Sequence, residues 1–305
     1  MDFTKNFVRS KNPCAEGFRW YLRHQRNGSE YQPLLDHLVR DGRVDDACWL
    51  LDQVGPFNTV LKLDRLECDA FVYAGSIEVL ESIDVGSVLR VGGSVRCGGS
   101  IRAGKDVLAG QDIRAEGGLN CAGELECAGS LRADGHVTAG GRVRAGDMKV
   151  AGNVSCTGRM SIVGAALVKG DLLAGGDCTA KSLSVRGCLD ASGSLRVWQG
   201  LICAEGIRCG SHLDAGWGIK SGADITSAGA IRAGEGLEAH GAIRAGRGYG
   251  IFAGLGVQRE EWETSARVSA RNRPIGLMSG FWTGPQPCTP ALLHGHDTWE
   301  QDHAD

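Results

Sequence analysis

At 305 residues the chain has room for one large domain or two ordinary ones, and its net charge of −3, from 33 basic and 36 acidic residues, creates no global field toward nucleic acid or an anionic membrane. Glycine fills 47 positions, about twice its usual share, while aromatic residues make up only 6%. That balance argues against an ordinary thick-cored globule and for many tight turns around a narrow core.

The opening "MDFTKNFVRSKNPCAEGF" has no apolar run of signal-peptide length, and no segment reaches the ~18 apolar residues of a membrane span. Twelve cysteines without a CxxC pair suit a reducing interior, so a soluble, cytoplasmic protein is expected. Residues 1–56 carry apolar side chains at helical spacing: Phe18, Tyr21 and Leu22; Leu34, Leu35 and Leu38; Val44, Cys48 and Leu51. Gly42 and Gly55 stand where helices stop, with Pro56 after the last. This spacing predicts two or three short helices whose small apolar faces need further surface to cover them, hence an N-terminal cap packed on the rest of the chain.

Residues 57–257 are a repeat. From Ser87 the chain reads as six-residue units with an aliphatic residue at the third place and a small one at the fifth. One-residue contractions before Met148 and Leu183 reset the phase, and 29 units reach about Val257. The third place is Val, Ile, Leu or Met in 26 of them, and neither place ever carries a charge, in a chain that is 23% charged. Places three and five lie two apart, so they face one side of a short strand while place four faces out. Glycine at places six and one predicts turns with positive φ. A strand of three residues buries nothing alone but does so when coiled and stacked, so the expected fold is an all-β solenoid: a triangular β-helix of about 18 residues per coil and about ten coils. Cys97, Cys121, Cys127, Cys156, Cys203 and Cys209 occupy the fifth place and read as inert packing residues.

From about Gln258 the period is lost. Trp262, Ile275, Leu277, Met278, Phe281 and Trp282 are expected to fold over the last coil as a closing segment, with a loose tail to residue 305.

The units "KDVLAG", "QDIRAE" and "GDLLAG" resemble the Gly-Asp-aliphatic-x-Ala phrases of bactofilins, bacterial cytoskeletal proteins built on a β-helix. The likeness spans roughly residues 60–257. It implies a cytosolic polymer formed by coils stacking end to end without nucleotide. The chain departs from that pattern in having an amphipathic helical region before the repeat and an aromatic-bearing segment after it. Flanks of that kind close the ends of a sheet against addition. The resemblance carries over no individual site residues.

Hexapeptide acyltransferases also use a triangular β-helix, but place the small residue before the aliphatic one, and carry a loop excursion with a catalytic histidine. Here the small residue comes two places after, the repeat has contractions and no long insertion, and His136, His212 and His240 fall in turns. Place four makes the outer surface. With three units per coil, one face stacks Arg96, Arg114, Arg132 and Lys149, a ladder of like charge that suggests an acidic partner unless Asp106, Asp112 and Glu124 neutralise it. Further along that face Leu167, Ser184 and Ile202 form a weakly apolar stretch. Asn120, Thr138 and Ser155 are succeeded by Leu173 and Asp190, which is no ice-binding ladder. In the terminal "HGHDTWEQDH", His294, His296, Asp297 and His303 have metal-ligand chemistry, but read as polar sequence. The expectation is therefore a non-catalytic scaffold that presents flat faces to a protein partner or associates with itself, without cofactor, metal or nucleic acid. A self-polymerising bactofilin-like protein comes second and an acyltransferase third.

Overall fold

An aliphatic residue, an outward residue and a small residue in succession make a strand whose ends are buried and whose middle is not. That pattern recurs throughout the computed structural model: in Ile113–Ala115 both ends are buried and Arg114 is exposed. The structure describes residues 4–24 and 30–285. The chain divides after Val168 into two units, Met1–Val168 and Lys169–Asp305. Each is a parallel β-solenoid with three faces, and the turns number about 12 in all.

In the first unit the solenoid comes after four helices: α1 (Lys5–Ser10), α2 (Ala15–His24), α3 (Tyr31–Arg40) and α4 (Val44–Val54). This is one more helix than the apolar spacing predicts, because α1 is a six-residue helix with a single buried side chain, Val8. Gly42 and Gly55 do end α3 and α4, with φ of 73° and 88°. Nineteen short strands come next, from Val60–Leu63 to Ala165–Val168. The first, second and third faces begin at Val60–Leu63, Leu66–Cys68 and Phe71–Tyr73, and each strand pairs in parallel with the third strand after it. Partners lie 18 residues apart, as in Ile113↔Leu131, or 17 across the contraction, as in Val137↔Val154. Aliphatic residues therefore stack on aliphatic and small on small. Ile113, Leu131 and Met148 form one such inward column.

The helices rest on the third face of the first coil. Val8, Trp20, Tyr21, Tyr31, Leu34, Leu35, Leu38, Leu50 and Leu51 share a core with Val72 and Ala74. The Gln32 amide also serves the backbone there. Its Nε2 donates to the Val72 carbonyl at 2.9 Å and its Oε1 accepts from the Ala74 N–H at 2.9 Å. One side chain thus supplies a donor and an acceptor that a further strand would offer.

Among its described residues the second unit has seventeen strands, from Leu172–Ala174 to Phe281–Trp282, a 3-10 turn at Arg259–Glu261 and α5 (Trp262–Ser265). Strand pairing continues past the last six-residue unit. Arg267–Ser269 and Phe281–Trp282 add to the first face, and Leu277–Ser279 to the third. Trp262 lies against Gly254, while Ile275 and Met278 point outward, 97% and 69% exposed.

The turn glycines correct the sequence expectation. Among the described residues, positive-φ glycines are confined to Gly42, Gly55, Gly248, Gly254, Gly276, Gly280 and Gly284, at helix ends, in the last two six-residue units and in the segment after them. Turns such as those at Gly104 and Gly222 need glycine for another reason. A Cβ there would run into the carbonyl oxygen of Gly86 or Ala204, one coil earlier. Close stacking of backbone on backbone, rather than a left-handed bend, selects glycine at these two positions.

Candidate functional site

The middle residue of each strand is held by the ladder on either side and has nowhere to go but outward. On the first face of the first unit, Arg96 is the register partner of Arg114, Arg114 of Arg132, and Arg132 of Lys149. All four are exposed. Their immediate neighbours on the face are Glu78 before and Leu167 after. Two carboxylates reach the column, Glu78 at 3.6 Å from Arg96 and Glu116 at 3.9 Å from Arg114. Arg132 donates from Nε to the Ser130 hydroxyl at 3.3 Å. Lys149 pairs with no acidic side chain among the described residues.

The acids expected to neutralise this column are engaged elsewhere. Asp106 Oδ1 accepts the Glu124 N–H and Asp112 Oδ1 accepts the Ser130 N–H, both at 2.7 Å. Glu124 pairs with Arg142 at 2.9 Å. At several other outer positions opposite charges face each other from coil to coil. Glu126 faces Arg144 at 3.3 Å and Asp190 faces Arg208 at 3.2 Å. Lys220 faces Glu238 at 3.2 Å, and Asp214 lies between Arg196 and Arg232. Four consecutive cations set this part of the first face apart. Leu167 is half-buried on the first unit, while Ile202 is 53% exposed on the second.

The aspartate of the repeated Gly-Asp phrase has a role that periodicity alone did not reveal. The side chain before the aliphatic residue accepts the N–H of the equivalent position one coil later. Asp147 does this for Ala165 at 2.8 Å and Asp224 for Ala242 at 2.8 Å. The N–H bond and the nearby Arg244 guanidinium hold the Asp224 carboxyl below the ordinary carboxylate range. His136 and His212 do the same work, each accepting at Nδ1, from Asn153 at 2.9 Å and Ala230 at 3.1 Å. The signal was present in the sequence as Asp, Ser or His recurring one place before the aliphatic residue.

The small fifth place is also chemically resolved. Cys121 and Cys127 donate their S–H to the Gly123 and Gly129 carbonyls, and Cys203 and Cys209 to those of Gly187 and Gly193. Ser221 donates to the Glu205 carbonyl at 2.7 Å in the same way. Burial pushes the thiols of Cys121 and Cys127 up to about 12 and that of Cys203 up to about 11. They are therefore protonated and weakly nucleophilic near neutrality.

Two features lay beyond the sequence pattern. On the second unit, Trp198 and Leu255, both 58% exposed, flank a shallow groove over Gly216 and Gly234, with the Arg196–Asp214–Arg232 column beside it. On the first, His24, His37 and Asp41 converge on the helical surface. His294, His296, Asp297 and His303 lie outside the described residues. Among the described residues no helix is long and apolar enough to cross a membrane.

None of the curated proteins or solved structures matches this chain. No bactofilin family matches the repeat. Residues 1–58, the helical region through α4, are similar to the family described as the YdhT N-terminal domain.

Proposed function

We propose that this protein is a non-catalytic scaffold whose first unit docks an acidic protein surface on Arg96, Arg114, Arg132 and Lys149. The supporting observation is the in-register column of four exposed cations, in contrast to outer pairs such as Glu126–Arg144 and Asp190–Arg208, where opposite charges face each other from coil to coil. Like charges one coil apart repel, and an anionic partner relieves that repulsion along the whole column at once. The partner is rigidly met, because each cation stands on a strand fixed at both ends. The Gln32 amide, occupying backbone groups of Val72 and Ala74, favours this reading over end-to-end polymerisation.

The test is the triple variant Arg96→Ser, Arg114→Ser, Arg132→Ser against wild type. Binding of a labelled poly-glutamate peptide, and of partners captured from the native cell, should fall at least about tenfold, with wild-type binding weakening as salt rises. Unchanged affinity at unchanged thermal stability would locate docking elsewhere. A length distribution of filaments by negative-stain microscopy would replace the scaffold with a polymer.

A further inference from the structure

We propose that His24, His37 and Asp41 form a binding site for a divalent transition metal of the zinc class, joining α2 to α3. The three residues come from two helices. His24 is the last residue of α2, and His37 and Asp41 lie four apart at the C-terminal end of α3. One ligand atom from each falls within 4.8 Å of the other two. Donors around a tetrahedral zinc, at bond lengths of roughly 2.0–2.2 Å, stand about 3.4 Å apart. The site therefore closes with a small approach of the three side chains.

The surroundings are those of a ligand set already oriented. His24 Nδ1 lies 2.9 Å from the Trp20 carbonyl. A carbonyl only accepts, so Nδ1 carries the proton and Nε2 keeps the lone pair a metal needs. The Trp20 indole N–H donates to Asp41 Oδ2 at 2.7 Å, which holds that carboxylate in place. The buried Trp20 ring stacks on His24 at 4.8 Å and meets His37 edge-on at 5.0 Å, while the two imidazoles are 5.3 Å apart. His37 Nε2 is 3.8 Å from Asp41 Oδ2. Two imidazoles and one carboxylate, with the remaining position open to solvent, suit Zn²⁺ and its Irving–Williams neighbours and suit Mg²⁺ or Ca²⁺ poorly. Metal here would fasten the cap that bears Gln32, so binding stabilises the helices over the first coil.

Calorimetric titration with ZnCl2 of the full chain, stripped with chelator, tests the site. The terminal histidines are removed as competitors by His294→Ala, His296→Ala and His303→Ala. One Zn²⁺ per chain is expected to bind in that background and to raise the melting temperature of the helical signal. Asp41→Asn, which can still accept from Trp20, and His24→Ala should each weaken binding more than about tenfold with the apo far-ultraviolet spectrum unchanged. Co²⁺ should give ligand-field bands without thiolate charge transfer. Absence of binding, binding lost with the terminal histidines, or affinity unmoved by both variants would overturn the proposal.

Discussion

Leu35 in α3 and Leu131 in the repeat are equally buried, both 0% exposed, yet they depend on their surroundings in different ways. Leu131 lies between Ile113 and Met148, residues of its own kind, and the same arrangement recurs coil after coil. Leu35 shares its core with side chains that occur once: Trp20, Tyr21, Tyr31, Leu51 and the edge residue Val72. The solenoid is stabilised by nearest-neighbour repetition, so a defect is local. The helical cap has no such redundancy, and its attachment runs through single residues.

This contrast yields tests of decreasing effect. Leu35→Ala should cost about 2–5 kcal/mol and melt the helical signal well before the β signal, monitored by circular dichroism in urea. Simultaneous loss of both signals would mean that cap and coils share one cooperative unit. Gln32→Met removes the amide that serves Val72 and Ala74 and should cost about 1–3 kcal/mol, with faster hydrogen exchange at the Ala74 amide. Within the repeat, Asp112→Ala deletes a single turn bond to Ser130 and should cost only about 0.5–1.5 kcal/mol in denaturant midpoint.

The smallest effect depends on pH. The folded pKa of Asp224 is depressed, so its contribution is complete above the ordinary carboxylate value of about 4 and fades as pH falls through the folded pKa. The stability gap between wild type and Asp224→Asn should be measurable near pH 7 and shrink as pH falls below the ordinary carboxylate value and through the depressed folded pKa. A gap that widens on acidification would reverse the assigned sign.

The same contrast governs how much was legible in the sequence. The solenoid, its three faces and the register of Arg96 on Arg114 were readable, because each unit restates the rule that places it. About ten coils were expected and about 12 are present, since looser strands such as Leu66–Cys68 and late ones such as Arg267–Ser269 join without keeping the six-residue phrase. The turn glycines were assigned the wrong cause. Composition alone does not separate a need for positive φ from a need for space against the previous coil, and Gly104 has the second. The helical spacing marked Leu34, Leu35 and Leu38, but not the long-range bonds of Gln32 or the approach of His24 to His37. Those depend on how helices pack, which no local period encodes.

The two inward places lie inside every hexapeptide, whereas the outward columns arise only when three hexapeptides complete a coil. Splicing eighteen residues into the first unit would therefore lengthen it silently, each later side chain returning to its old direction. Splicing in six would leave the interior equally well filled while advancing every later residue by one face, so that Arg132 would no longer sit over Arg114. A lineage carrying this repeat has a cheap means of redrawing its exterior: a duplication of eighteen nucleotides changes what the surface presents without altering how the chain folds.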